Sequence, residues 1–209
     1  MDEDIFTIIK HLATQYSAVL KRQLELRENE MADDDTSHFL IYRVLGIPTD
    51  EGHLIDLYQN KGRFLYKYAG AFLEEAAITC LKHKFPNAEK AKIPNTHGRR
   101  PKTYEIDCLI GDRALEIKWR DATTDGDHIT KEHARVLAIR EKGYHPVRIM
   151  FYYPQRKQAQ RIQETLKTLY NGIGGEYFYG DDAWRYLCEL TGIDLLEILR
   201  KIADSRGVV

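Results

Sequence analysis

Apolar residues recur at helical spacing at the start of the chain. Ile5, Ile8, Ile9, Leu12, Tyr16 and Val19 fall in step and predict an amphipathic helix over about residues 4–28. The acidic run Asp33-Asp34-Asp35 breaks it. Thr36 or Ser37 is placed to cap a short helix running to about Leu45, and Gly46-Ile47-Pro48-Thr49 reads as a loop. A third helix is expected over about 50–59, stopped by Asn60-Lys61-Gly62. A long apolar helix follows over 63–84, carrying Phe64, Leu65, Tyr68, Phe72, Ala76, Ile78 and Leu81, and Pro86 ends it.

The periodicity then changes. Residues 86–102 read as a loop punctuated by Pro94, Gly98 and Pro101, with a brief strand at Ala91–Ile93. Tyr104–Ile110 and Arg113–Trp119 are two β-runs joined at Gly111-Asp112, a strong hairpin signal. With the turn there, Ile110 faces Arg113, and counting outward sets Asp107 opposite Glu116. Facing side chains on such a ladder have Cβ atoms about 4.5–5.5 Å apart, and like charges there repel. Lys118, two residues past Glu116, points to the same face. One face thus presents two carboxylates and an ammonium, a set suited to holding Mg²⁺ and neutralising a phosphate.

Downstream, residues 120–130 are polar and loop-like, and 130–142 suit a helix stopped at Gly143. Val147–Tyr153 is a strand ended by Pro154, and Gln155–Tyr170 is a helix stopped at Asn171-Gly172. Asp181 or Asp182 caps a helix over 183–190, and Asp194 caps one over 195–203. A strand following a helical crossover lies parallel to an earlier strand. The expected fold is α/β: a mixed central sheet flanked by helices, with a helical N-terminal region over 1–60 and the core over 61–209.

Composition narrows the field. The 209 residues suffice for one good-sized core, and 43% hydrophobic with 30% charged residues is ordinary for a globular protein. No apolar run is long enough for a membrane span, and the acidic Met1-Asp2-Glu3-Asp4 is unlike a secretory leader. Cys80, Cys108 and Cys188 are far apart and in no metal-ligand spacing, which fits a reducing, cytoplasmic setting. The net charge of −1 hides a segregation: residues 1–60 carry −7 and residues 61–209 carry +6. Lys82 to Lys102 holds seven basic residues against one acid, Glu89. A basic excess flanking the paired carboxylates is what a polyanion-binding enzyme needs.

A strand with Asp107, a strand with Glu116-Ile117-Lys118, a helix and a further strand, preceded by a helix with Gly70-Ala71-Phe72-Leu73-Glu74, resembles the PD-(D/E)XK nuclease superfamily, whose largest group is the type II restriction endonucleases. Ile106, not proline, precedes Asp107. Glu74 is preferred to Glu75 because it shares a face with Gly70. The stretch Glu116-Ile117-Lys118-Trp119-Arg120-Asp121-Ala122-Thr123-Thr124-Asp125-Gly126-Asp127-His128 is similar to the ApaLI/XbaI group. The resemblance implies a restriction-endonuclease-like fold, a palindromic six-base-pair site on double-stranded DNA, a homodimer, Mg²⁺ dependence with Mn²⁺ as substitute, and a prokaryotic restriction–modification setting. It also implies roles. Asp107 and Glu116 would bind the metal with the Ile117 carbonyl as a further ligand, Lys118 would position the attacking water, and Glu74 would hold a metal-bound water or a second ion.

The polar stretch after Lys118 has the donors and acceptors that base edges demand, since Arg pairs with guanine and Asp accepts from cytosine. Arg120, Asp125 and His128 are expected as base or phosphate contacts, and Arg135 with them. Arg99, Arg100 and Lys102, clustered in a loop, are expected on phosphates. Elsewhere His128 and His133 lack zinc spacing, Gly172–Gly175 follows a helix where a phosphate loop would open one, and the Tyr- and Phe-rich runs at 151–153 and 177–179 read as core or interface. Two alternatives stand beside a restriction enzyme: a junction-resolving or repair nuclease of the same superfamily, and a non-catalytic DNA-binding protein.

Overall fold

The computed structural model describes residues 4–98, 100–120 and 127–207, with positions 127 and 128 described by their backbone alone. The chain divides into two compact units, residues 10–72, and residues 1–9 with 73–209.

The unit over 10–72 is helical. It takes in most of α1 (Ile5–Ala32), all of α2 (Phe39–Val44) and the first part of α3 (Thr49–Lys84). Two corrections arise. α2 is led by His38, without the expected Thr36 or Ser37 side-chain cap. The expected break at Asn60-Lys61-Gly62 is absent, and α3 runs unbroken for 36 residues. Asn60 is held inside the helix: its amide donates to the Asp56 carbonyl (2.9 Å), and its Oδ1 accepts from the Arg27 guanidinium at 3.0 and 3.1 Å. Lys61 pairs with Glu28. Gly62 in a helix interior costs only about 1 kcal/mol against alanine.

The second unit is built on a five-stranded mixed sheet in the order β1 (Glu89–Pro94), β2 (Thr103–Ile110), β3 (Arg113–Arg120), β4 (His145–Tyr152), β5 (Glu176–Tyr179). β1, β2 and β3 pair antiparallel; β3, β4 and β5 pair parallel. The β2–β3 turn is the expected one: Ile110 faces Arg113, and Gly111 adopts the positive φ of 58° that a tight turn asks for. β4 is buried from Pro146 to Phe151, as befits a parallel strand covered on both faces.

Helices α4 (Asp127–Glu141) and α5 (Lys157–Gly172) make the parallel crossovers, and α6 (Asp181–Thr191) and α7 (Leu195–Arg206) close the chain. Ala138 and Ile139 of α4 pack with Ile93, Tyr104, Ile106 and Ala114. Val136 of α4, with Ile162, Leu166 and Tyr170 of α5, packs on Tyr177 of β5. Trp184 of α6 lies 4.2 Å, centroid to centroid, from Phe151 of β4. Asp194 caps α7 as expected, accepting from the Glu197 amide. α6 is led by Gly180, with Asp181 and Asp182 in its first turn.

β5 departs from the expectation that 177–179 is merely an aromatic cluster. It is only four residues long, too short to carry a period, and forms because β4 offers a free edge: Val147 pairs with Glu176 and Met150 with Tyr179. Gly175 permits the approach, since a Cβ there would sit 2.7 Å from the Pro146 carbonyl oxygen.

Candidate active site

The β2–β3 ladder pairs Ile110 with Arg113, Leu109 with Ala114 and Cys108 with Leu115. The next residues outward are Asp107 and Glu116, and there side chains replace ladder bonds: Asp107 Oδ2 accepts from the Ile117 amide at 2.8 Å. Strand alternation turns Asp107, Glu116 and Lys118 to one face. The Lys118 Nζ lies 2.7 Å from Glu116 Oε1 and 3.4 Å from Asp107 Oδ2. The structure therefore brings these three predicted residues together. Both carboxylates are buried, whereas the Lys118 side chain is one-third exposed.

The carboxylates are electrostatically unlike. Burial and the neighbouring charge of Glu116 push Asp107 up to about 7, against the pull of Lys118, and Glu74 adds to the rise. Burial acts on Glu116 in the same sense, but the charges of Lys118, Arg135 and Arg148 outweigh it and hold Glu116 below the usual carboxylate range. Lys118 is held above its ordinary value because Glu116 and Asp107 outweigh its own burial. Glu116 is thus a fixed anion, and Asp107 is an acid poised near neutrality.

Glu74, from α3, is partly exposed and 3.4 Å from Lys90 of β1, which also lies 3.7 Å from Glu105 of β2. Ile117 is buried at the centre of β3. Among the described residues, no group of three or more His, Cys, Asp or Glu is arranged to hold a metal ion; the acidic pair at Asp107 and Glu116 is shared with cations of the protein itself.

The DNA-contact expectations separate. Arg100 and Lys102 are exposed in the β1–β2 connection. Arg120 ends β3, its guanidinium 5.4 Å from the Trp119 ring centroid. Arg99, Asp125 and the His128 side chain lie outside the described residues. Arg135 is placed differently from the expectation. Its side chain is only 16% exposed and turns inward, pairing with Glu116, approaching Glu132 at 3.8 Å and donating to the Glu105 carbonyl.

That inward turn exposes a layer that sequence reasoning missed. Glu132, 4% exposed, accepts from Arg148 Nη1 at 2.9 Å and from the Tyr170 hydroxyl at 2.6 Å. Arg148, 2% exposed, sits beside Glu116 in the β3–β4 register. The available signals were an arginine in an otherwise apolar strand, and Glu132 and Arg135 at i, i+3 on one helix face.

The family model of ApaLI-like restriction endonucleases matches residues 1–204 of the chain. No curated protein and no solved structure matches it. With the match spanning almost the whole chain, the protein belongs to the ApaLI-like restriction endonuclease family: it is a type II site-specific deoxyribonuclease acting on DNA.

Proposed function

We propose that the protein is a Mg²⁺-dependent, homodimeric restriction endonuclease that leaves 5′-phosphate and 3′-hydroxyl ends at a palindromic site. The observation that carries this is Lys118 Nζ lying 2.7 Å from Glu116 and 3.4 Å from Asp107 on one face of a hairpin. The donor set fits the metal. Mg²⁺ is bound through one or two carboxylates plus waters and a substrate phosphate. Burial, and after it the charge of Glu116, raises Asp107 to about 7, a cost that a further cation beside the two carboxylates would relieve. Asp107 and Glu116 would hold the ion, with the Ile117 carbonyl beside them. When bound, Mg²⁺ supplies positive charge that polarises the scissile phosphate and lowers the pKa of the attacking water.

The remaining work belongs to the chain. Lys118 would donate to the incoming water and neutralise charge gathering on the phosphate. Arg135 holds the other Glu116 oxygen and fixes the carboxylate in one rotamer. Glu74 orients water at the rim. Arg99, Arg100 and Lys102 set register on phosphates, while Arg120, Asp125 and His128 contact bases or phosphates after β3.

Incubating the protein with plasmid DNA and Mg²⁺ and sequencing the fragment ends tests the reading. Defined ends are expected. Asp107→Ala, Glu116→Ala and Lys118→Ala should each lose at least about 100-fold in turnover, the loss typical of removing one preorganised transition-state contact. Wild-type turnover by any folded single variant removes that residue from the mechanism.

A further inference from the structure

We propose that the cavity at the carboxyl ends of β3 and β4 takes an unstacked base of the substrate DNA beside the scissile phosphate. The proposal rests on the nuclease reading above. The cavity has a volume of about 440 Å³, opens to solvent and is lined by residues that include Trp119, Arg120, Tyr152, Gln155 and Arg156. β4 is buried through Phe151 and then ends on Tyr152, which is 49% exposed. Among the described residues from 73 onward, Tyr152 is the one large apolar side chain exposed to that degree. An aromatic ring in water at the end of a buried strand needs a reason, and this one faces a cavity.

Position ties the cavity to the chemistry. Tyr152 pairs with Arg120 in the parallel register, and Arg120 stands two residues beyond Lys118. Alternate residues of a strand share a face, so Arg120 continues the row of Glu116 and Lys118. Two residues of strand advance about 7 Å, roughly two base-pair steps of a duplex. A nucleotide whose phosphate meets Lys118 therefore has its own base, or the next one, within reach.

The lining matches a nucleobase, which offers two apolar faces and an edge of donors and acceptors. Tyr152 and Trp119 supply flat aromatic surface. Arg120 and Arg156 donate, and the Gln155 amide both donates and accepts. Aromatic stacking with edge hydrogen bonds is how proteins hold bases taken out of the helix. A phosphate would require the guanidinium groups but no exposed phenol ring. The walls are also braced in advance: Tyr152 meets Trp184 edge-on at 5.9 Å, and Tyr153 packs against Tyr179 at 4.3 Å. A preformed surface loses little freedom when it binds.

The test starts from the cleavage site mapped by end sequencing. Each base of that site and its flanks is replaced in turn by a photoreactive analogue, such as 5-iodouracil, 5-iodocytosine or 8-azidoadenine. Each duplex is irradiated with the full-length Lys118→Ala protein, which holds it uncut, and the crosslink is located by mass spectrometry. The expected result is a crosslink to Tyr152 or Trp119 from one position within two nucleotides of the scissile bond. Tyr152→Ala should weaken binding of the uncut duplex about tenfold, the effect of losing one stacking partner, and Tyr152→Phe should restore it. If the wild type cuts at defined sites but crosslinks form only at other residues, or Tyr152→Ala binds like its parent, the cavity assignment fails and the nuclease reading stands. If the wild type neither binds nor cuts DNA, the nuclease reading itself fails.

Discussion

Asp107 and Glu116 are two carboxylates on one face with opposite electrostatic fates. Glu116 is surrounded by Lys118, Arg135 and Arg148 and stays ionised, while Asp107 has a share of Lys118 and the Ile117 amide, too little to offset burial beside another anion. This has a consequence for stability. Asp107 has a folded pKa of about 7 against an ordinary 3.8. Below pH 4 it is protonated in both states and costs nothing. Between pH 4 and 7 the unfolded chain ionises it and the folded chain does not, so stability falls as pH rises through that window. Asp107→Asn removes the penalty. In EDTA it should melt with the wild type near pH 4 and increasingly above it towards pH 8, by an amount equivalent to about 1–3 kcal/mol. Melting curves of both proteins across that range check this, and a gap that stays constant with pH would show that Asp107 is ionised throughout. Added Mg²⁺ should close the gap from the wild-type side, because a ligand that binds only the folded state stabilises it.

The element that carries the site was legible because its turn is local. Gly111-Asp112 between two apolar runs fixes the register, and register alone places Asp107, Glu116 and Lys118 on one face. What could not be read depended on partners distant in sequence. Asn60 looked like a helix stop until its side chain found Arg27 and the Asp56 carbonyl. β5 exists because β4 has an edge to offer. Arg135 looked like a DNA contact and turned inward because Glu116 and Glu132 wait there. The buried layer of Glu132, Arg148 and Tyr170 therefore invites a test at this scale. Glu132→Ala strands Arg148, which is 2% exposed, and should destabilise by about 3–5 kcal/mol, as removing one partner of a buried pair does. Glu132→Leu with Arg148→Met, which removes both charges at similar volume, should recover most of that in calorimetry. Turnover should stay low in the double variant, since Arg135 has lost the counter-charge that steadies it on Glu116. Recovery of both melting temperature and turnover would make the layer structural only.

At the scale of the whole molecule, charge and exposed apolar surface divide the labour. Residues 1–60 carry −7, which DNA repels, while residues 61–209 carry +6. Yet the unit over 10–72 holds most of the exposed large apolar side chains: Leu40, Ile41, Val44 and Leu45 on and just after α2, and Leu54, Ile55, Tyr58, Leu65 and Tyr66 on α3. Val44 and Leu45 are more than 70% exposed. Apolar surface gathered on an acidic segment suits protein, not nucleic acid. If the target is the proposed palindrome, one candidate site per chain among the described residues calls for a second copy related by a two-fold axis. The partner expected on this surface is thus the same chain. Val44→Asp with Leu45→Asp introduces like charges that meet across a two-fold contact, and should convert a sedimenting dimer to a monomer without lowering the melting temperature of the nuclease unit. On supercoiled plasmid that monomer should accumulate nicked circles before linear product, because each encounter cuts one strand. A wild-type chain that sediments as a monomer both free and on its DNA site, while still linearising plasmid in one step, would remove the dimer and leave this apolar surface to another partner.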